Sequence, residues 1–268
     1  MSMNSFSCGK LLTAMRQANP LVQCITNDVA MNIAANVLLA AGASPAMVSA
    51  EEEAGEFAVI AGSVTINIGT LWSGGVAGMR EAAGAARREG KPWVLDPVAH
   101  YATEFRREVV KELMARGPTI VRGNASEILA LAGEASHGQG VDSRDSAFSA
   151  QSAAVALARQ HACIVAVTGE VDFVTDGGRS LAIEGGSPLM PRVTALGCAL
   201  TCLIGAFAAS RPEDPFEATA AALALFAVCG EEAGSKAKGP GSFQPLFLDS
   251  LSSIDGHHLD SNLRMRSL

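Results

Sequence analysis

Aromatic side chains are scarce in this chain: two tryptophans, one tyrosine and ten phenylalanines make up 5% of 268 residues. Ala, Gly, Val, Leu and Ile must then carry the packing, which suits helices laid closely on a parallel sheet better than a β-sandwich. Long hydrophobic runs are missing too. The longest apolar stretch, Cys198 to Ala209, is well short of the ~20 residues of a membrane span. Met1 to Lys10 has no basic region followed by an apolar core, so no secretory leader is expected. No Lys/Arg cluster with interleaved aromatics is present and the net charge is −7, which argues against a nucleic-acid partner. No Cys-x-x-Cys pair occurs among Cys8, Cys24, Cys163, Cys198, Cys202 and Cys229, and no His stands near them at zinc spacing. Cys198 and Cys202 could share a helix face as half a metal site, but without a second pair they read as core, and reduced cytoplasmic thiols are expected. Three nucleotide or nucleophile signatures are absent as well: a P-loop, a Gly-x-Gly-x-x-Gly turn after the first strand, and a Gly-x-Ser-x-Gly elbow.

What is present is a hydrophobic fraction of 49%, enough for a sizeable core, in a length that allows one large domain or two small ones. Strand-like runs alternate with helical ones. Val22–Thr26, Pro45–Val48, Val64–Ile68, Trp93–Leu95, Thr119–Val121 and Ile164–Val167 read as strands. Asp28–Ala41, Glu51–Ala61, Gly74–Glu89, Thr103–Ala115, Ser126–Leu131 and Asp145–Gln160 read as helices between them, the first capped by Asn27 or Asp28. Phe173–Thr175 and Leu181–Ile183 then flank Asp176-Gly177-Gly178, a hairpin signal. A helix from Cys198 and another over Asp214–Gly234 follow. This βα rhythm predicts an α/β fold, with a mostly parallel central sheet and helices on both faces. The loop Gly133–Ser143 is expected to be mobile, and the polar tail after Asp255 to be frayed.

In open α/β sheets, ligands bind beyond the carboxyl ends of the strands. The polar residues there are Thr26 and Asn27, Asp96, Arg122, Asn124, Glu127, Thr168 and the turn before Cys198. Asp96 and Glu127 could hold Mg²⁺, directly or through water. Arg122 could grip phosphate bidentately. Thr168-Gly169 permits close backbone approach. In Pro191–Leu200 a β-branched approach ends in a small-residue turn, and Gly197-Cys198 opens an apolar helix. Such a terminus binds anions, and a thiolate there is stabilised, so the Cys198 pKa is expected to fall. Each residue also has a plainer reading. Cys198 could be a core cysteine, Asp96-Pro97 a strand-end turn, Glu127 a first-turn helix acid, and Arg122 its structural partner. His100 reads as loop, His257 and His258 as tail, and Glu51-Glu52-Glu53 as a solvated helix start.

Taken together, several segments resemble the hydroxyethylthiazole kinase family: Cys24-Ile25-Thr26-Asn27, Met31-Asn32, Ala35-Asn36, Leu39 to Met47, Asn67-Ile68-Gly69-Thr70 and Leu95-Asp96-Pro97-Val98. Arg122 to Ile128, Gly140 to Ser143, Val167-Thr168-Gly169 and Gly239 to Phe243 continue the match in the right order, from about residue 20 to 250. The resemblance implies one ribokinase-like domain over residues 1–268 that uses ATP and Mg²⁺ without a P-loop. It implies phosphorylation of the hydroxyethyl group of 4-methyl-5-(2-hydroxyethyl)thiazole in thiamine salvage, by a homotrimer with active sites shared between subunits. Two other readings stay open: a kinase of this fold for another small alcohol, such as hydroxymethylpyrimidine or pyridoxal, and an inactive ligand-binding protein. By the resemblance, Met47 and Asn27 fall in the thiazole pocket, Arg122 and Thr168 on ATP with Asn124 beside them, and Asp96 and Glu127 near Mg²⁺ and phosphate. Cys198 takes the place of the catalytic aspartate of related sugar kinases, and the turn with Ala195 and Gly197 matches the substrate-facing anion hole. Two departures stand out. Ala195-Leu196-Gly197-Cys198 replaces Gly-Thr-Gly-Cys, and Ala99-His100-Tyr101-Ala102 replaces a Gly-rich segment. Because Ala tolerates positive φ poorly, the first turn is expected to differ in shape while keeping its N–H groups.

Overall fold

The apolar runs pair into one nine-stranded sheet. The computed structural model describes residues 6–133 and 143–268. In chain order the strands are β1 (Leu21–Ile25), β2 (Ser44–Ala46), β3 (Ser63–Asn67), β4 (Trp93–Asp96), β5 (Ile120–Asn124), β6 (Ile164–Thr168), β7 (Val171–Thr175), β8 (Ser180–Glu184) and β9 (Arg264–Ser267). They lie in the order β2-β1-β3-β4-β5-β6-β7-β8-β9. From β2 to β6 all neighbours are parallel, and β7, β8 and β9 add antiparallel pairs. The mostly parallel sheet read from the sequence is therefore the sheet observed, hairpin included. Of the loop Gly133–Ser143, expected to be mobile, residues 134–142 lie outside the described residues, Gly140 to Asp142 among them.

Strand side chains alternate between the two faces. Val22, Cys24, Val94, Ile120, Ala166 and Val174 join one core, with α1 (Cys8–Ala18), α2 (Met31–Ala41), α8 (Leu196–Ser210), α9 (Pro215–Lys236) and α10 (Pro240–Ser253). Val64, Ile66, Leu95, Val121 and Val165 join the other, with α3 (Glu51–Ile60), α4 (Ser73–Arg88), α5 (Glu104–Ala115), α6 (Ala125–Leu131) and α7 (Ser143–His161). Both faces of the parallel strands are covered, which is why those strands read as unbroken apolar runs. α8 is buried along nearly its whole length. It lies on β3, where Ser63 Oγ donates to the Gly205 carbonyl at 2.7 Å. A Cβ at Gly205 would stand 2.5 Å from Thr65 Cγ2, so only glycine lets the helix sit this close.

The tail after Asp255 is not frayed. Asp255 caps α11 (Gly256–Asn262), accepting from the His258 N–H at 2.8 Å, and Leu259 is fully buried. Asp260 accepts from Gly9 N at 2.8 Å and from Ser7 Oγ at 2.5 Å, tying the tail to the start of α1. Beyond it, β9 pairs with the free edge of β8, Met265 opposite Ile183. Polar composition misleads here because a short edge strand needs only one inward apolar residue. No helix among the described residues is long and apolar enough to cross a membrane.

Candidate active site

Alternation puts the polar residues at the carboxyl ends of adjacent strands on the α8 face. Asn67 ends β3 and is the register partner of Asp96 at the end of β4. Asp96 is fully buried, and its Oδ2 accepts from Asn67 Nδ2 at 2.7 Å, from Thr201 Oγ1 of α8 at 2.8 Å and from Arg122 of β5 at 3.4 Å. Its Oδ1 is buried with no partner. Burial raises the Asp96 pKa, while Arg122 and the bonds from Thr201 and Asn67 oppose the rise. Arg122 thus pairs with Asp96, not with Glu127, and its second terminal nitrogen donates to Thr168 Oγ1 at 2.6 Å.

The guanidinium lies across the start of α8. A Cβ at Gly197 would stand 2.9 Å from a terminal nitrogen of Arg122, so any larger residue would push the guanidinium from this place. A fixed cation and the unpaired N–H groups of a helix start therefore converge on one point. Ala195, the residue before the helix, holds φ 61° and ψ 12°. The turn thus keeps a left-handed residue although alanine occupies it, at a cost of roughly 1–2 kcal/mol. The second departure behaves alike: Ala99 sits at φ 47°.

Cys198 is half-buried at this helix start, and its Sγ accepts from Asn27 Nδ2 at 3.2 Å. The same Nδ2 donates to Asn67 Oδ1 at 2.8 Å, so a continuous hydrogen-bonded row links thiol, Asn27, Asn67 and Asp96. Asn27 Oδ1 accepts from Ala30 N at 3.0 Å, though Ala30 rather than Asn27 is the residue preceding α2. Burial pushes the Cys198 thiol up from its ordinary value, and the Asp96 charge adds to this. The Asn27 bond and Arg122 pull it down by less. The direction is opposite to the fall expected at the helix terminus, because desolvation and a nearby carboxylate outweigh the Asn27 bond and the Arg122 charge.

Glu127 is buried and tied up locally. Its Oε2 accepts from Asn124 N at 2.8 Å while Asn124 Oδ1 accepts from Glu127 N at 2.9 Å, a reciprocal cap on α6. Its Oε1 accepts from Ala99 N at 3.0 Å, fixing the left-handed turn after Asp96-Pro97. No group of three or more His, Cys, Asp or Glu poised to hold a metal is found among the described residues. Glu127→Gln loses one acceptor and is expected to lower stability by about 1 kcal/mol in urea unfolding.

From Arg122, Asn124 and Thr168 a cleft of about 1170 Å³ runs past Ala195, Gly197 and Leu200 to Phe226 and Arg264. Met47 follows β2 and is half-buried against the core that contains α2 and α8; it is not among the residues lining this cleft, and neither are Asn27, Asp96, Glu127 and Cys198. Sequence reading gave no site role to Asn67, Thr201 or Asp172. Thr201 stands three residues after Cys198 on one helix, and that spacing was the available signal. Asp172 accepts from Gly169 N at 3.0 Å on the cleft floor, and burial pushes its carboxyl up to about 6 against the pull of that N–H and Arg122.

An α/β sheet of this order, with the α8 start at its carboxyl edge and no P-loop in the sequence, is a ribokinase-like fold. The Staphylococcus aureus pyridoxal kinase bound to AMP-PCP and pyridoxal shares the fold, with a TM-score of 0.65 and 16% identity over 93% of this chain and 98% of that one. The hydroxyethylthiazole kinase family model matches residues 12–257, and the chain belongs to that family. It is 68% identical to the hydroxyethylthiazole kinase of Rhizobium rhizogenes over 97% of both chains. The solved hydroxyethylthiazole kinase of Pyrococcus horikoshii matches it with a TM-score of 0.90 and 41% identity over 97% of this chain and 98% of that one.

Proposed function

We propose that this chain, as a single domain, transfers the γ-phosphoryl group of ATP to the hydroxyethyl oxygen of 4-methyl-5-(2-hydroxyethyl)thiazole, in thiamine salvage. The observation that carries the reading is the convergence of Arg122 and the α8 start at one end of a nucleotide-sized cleft, with Cys198 next to Gly197 on that helix but outside the cleft lining. Phosphoryl transfer asks mainly for positioning and charge stabilisation. Arg122, held by Thr168 and Asp96, and the N–H groups after Ala195 supply fixed positive charge where the transferring group carries negative charge. The Asn27–Cys198 contact supports a thiol beside the acceptor alcohol, and Met47, outside the cleft, is assigned to the thiazole side by the family resemblance alone. The raised thiol pKa leaves little thiolate at neutral pH to accept a proton, so its larger part is orientation of the alcohol.

The unpartnered Oδ1 of Asp96 is the donor that would hold Mg²⁺, and Glu127, whose two oxygens already accept from Ala99 and Asn124, would reach the ion only through water. When bound, the ion offsets triphosphate charge. A homotrimer with shared sites is the proposed assembly. Val29 and Leu39, exposed at 58% and 62%, flank Asn27 and the edge strand β2, a surface suited to a second copy. The free thiols of all six cysteines accord with the cytoplasm.

ADP release that depends on both added thiazole and Mg²⁺ tests the reading, with hydroxymethylpyrimidine and pyridoxal as competing acceptors. ATP turnover with either competitor but not with thiazole would overturn the substrate assignment. Arg122→Ala is expected to weaken ATP by tenfold or more, a charge-assisted bond contributing about 1.5–3 kcal/mol, and to leave thiazole affinity nearly unchanged. Separate binding titrations of the two ligands check this.

A further inference from the structure

We propose that the C-terminal strand closes the nucleoside end of the cleft, with Arg264, steadied by Glu231, contacting the sugar–base half of the bound nucleotide. The inference rests on ATP use as read above and extends it to residues at the far end of the chain. The sheet order fixes the direction of the cleft. Arg122 on β5 marks the anion end, and β6, β7, β8 and β9 follow in succession. Four strand spacings of ~4.8 Å carry the cleft about 19 Å from the anion end to β9, a span for an extended nucleoside triphosphate.

The chemistry changes along that path. Beyond Gly197 the walls are Leu200, Pro188, Met190 and Phe226, apolar surfaces suited to the faces of a planar base. At the outer end the Arg264 guanidinium meets Glu231 of α9 in a forked pair, at 3.1 and 2.6 Å. This pair cancels the charge of Arg264, so the end offers no net attraction to phosphate. It also holds a planar guanidinium in place while half of its surface stays open. A fixed, neutralised guanidinium beside apolar walls fits a neutral ring and its hydroxyls, by stacking and hydrogen bonding. β9 is pinned independently of Arg264, by its ladder with β8 and by the buried Leu259 of α11, so the wall is present before nucleotide arrives.

The test is calorimetric titration of the full-length wild type, Arg264→Ala and Glu231→Gln with ADP and, separately, with pyrophosphate, Mg²⁺ being present throughout. Arg264→Ala is expected to lose about fivefold in ADP affinity, the worth of one ordinary contact, with no change for pyrophosphate. Glu231→Gln, which frees the guanidinium, is expected to lose ADP affinity less. Unchanged ADP affinity in Arg264→Ala, or an equal loss for pyrophosphate, would overturn the proposal. A wild-type chain that binds neither ligand would remove the ATP reading and this one with it, and so is distinguished from a failure confined to Arg264.

Discussion

Asp96→Ala is expected to lower the unfolding free energy by about 3–5 kcal/mol and to reduce turnover by more than a hundredfold. The carboxylate is fully buried and is the common acceptor for Asn67, Thr201 and Arg122. Removing it leaves two buried donors unpaired and a mostly buried cation without its counter-charge, and breaking a buried pair in this way costs that much. The activity loss has a separate cause. Arg122 is aimed across the α8 start by two anchors, Thr168 and Asp96, and with one gone the guanidinium no longer has a fixed place. Asp96→Asn separates the two effects. It retains an oxygen for the three donors and keeps most of the stability, but it loses the charge facing Arg122. Urea midpoints for both variants, measured beside turnover at saturating thiazole, give the comparison. An Asp96→Asn protein with full turnover would show that the carboxylate's charge is not required. Equal stability losses in the two variants would show that the hydrogen-bond geometry is not what Asp96 contributes.

Much of the fold was legible because parallel strands covered on both faces are written as continuous apolar runs. Val64–Ile68 and Ile164–Val167 could be read directly and lie within a residue or so of β3 and β6. The positions of Asp96, Arg122 and Thr168 followed from the rule that ligands gather at strand carboxyl ends. What pairing decides was not legible. That Asn67 stands opposite Asp96 is a matter of register between β3 and β4, and 29 residues separate the two. That Arg122 chooses Asp96 over Glu127 depends on which strand lies next to which. The Cys198 pKa was misjudged for the same reason: the helix start is visible in the sequence, whereas the carboxylate across the sheet is not. At the chain ends local signals were weak. α10 carries Pro245 within it, and β9 reads Arg264-Met265-Arg266-Ser267, a strand only because β8 offers it a free edge.

Cys198→Ala is expected to lower kcat by about tenfold to a hundredfold, and its pH dependence tells which role is lost. Two contributions meet at this residue. The backbone N–H groups of the α8 start survive substitution by alanine. The thiol, which can accept a proton and which receives the Asn27 bond, does not. General-base catalysis contributes roughly 10²–10⁴-fold where the base is well matched to the working pH. A thiol raised by burial and by Asp96 is poorly matched at pH 7, so the loss should fall toward the lower end of that range. The sign of the pH effect follows. Below a raised pKa the thiolate fraction grows with pH, so a wild-type rate that depends on it should climb steadily through neutral pH into the alkaline range. Cys198→Ala should be flat over the same interval. Cys198→Ser keeps a small hydrogen-bonding group for Asn27 but is a far weaker base, and should resemble Ala if proton transfer matters and wild type if orientation matters. Orientation is favoured here, because the row from Asp96 through Asn67 and Asn27 ends on the sulfur and fixes its position whatever its protonation state. The expected pattern is therefore a shallow wild-type slope and a serine variant closer to wild type than to alanine. An alanine variant with full turnover at saturating substrate and Mg²⁺ would leave Cys198 as a packing residue and place the catalysis on Arg122 and the helix start.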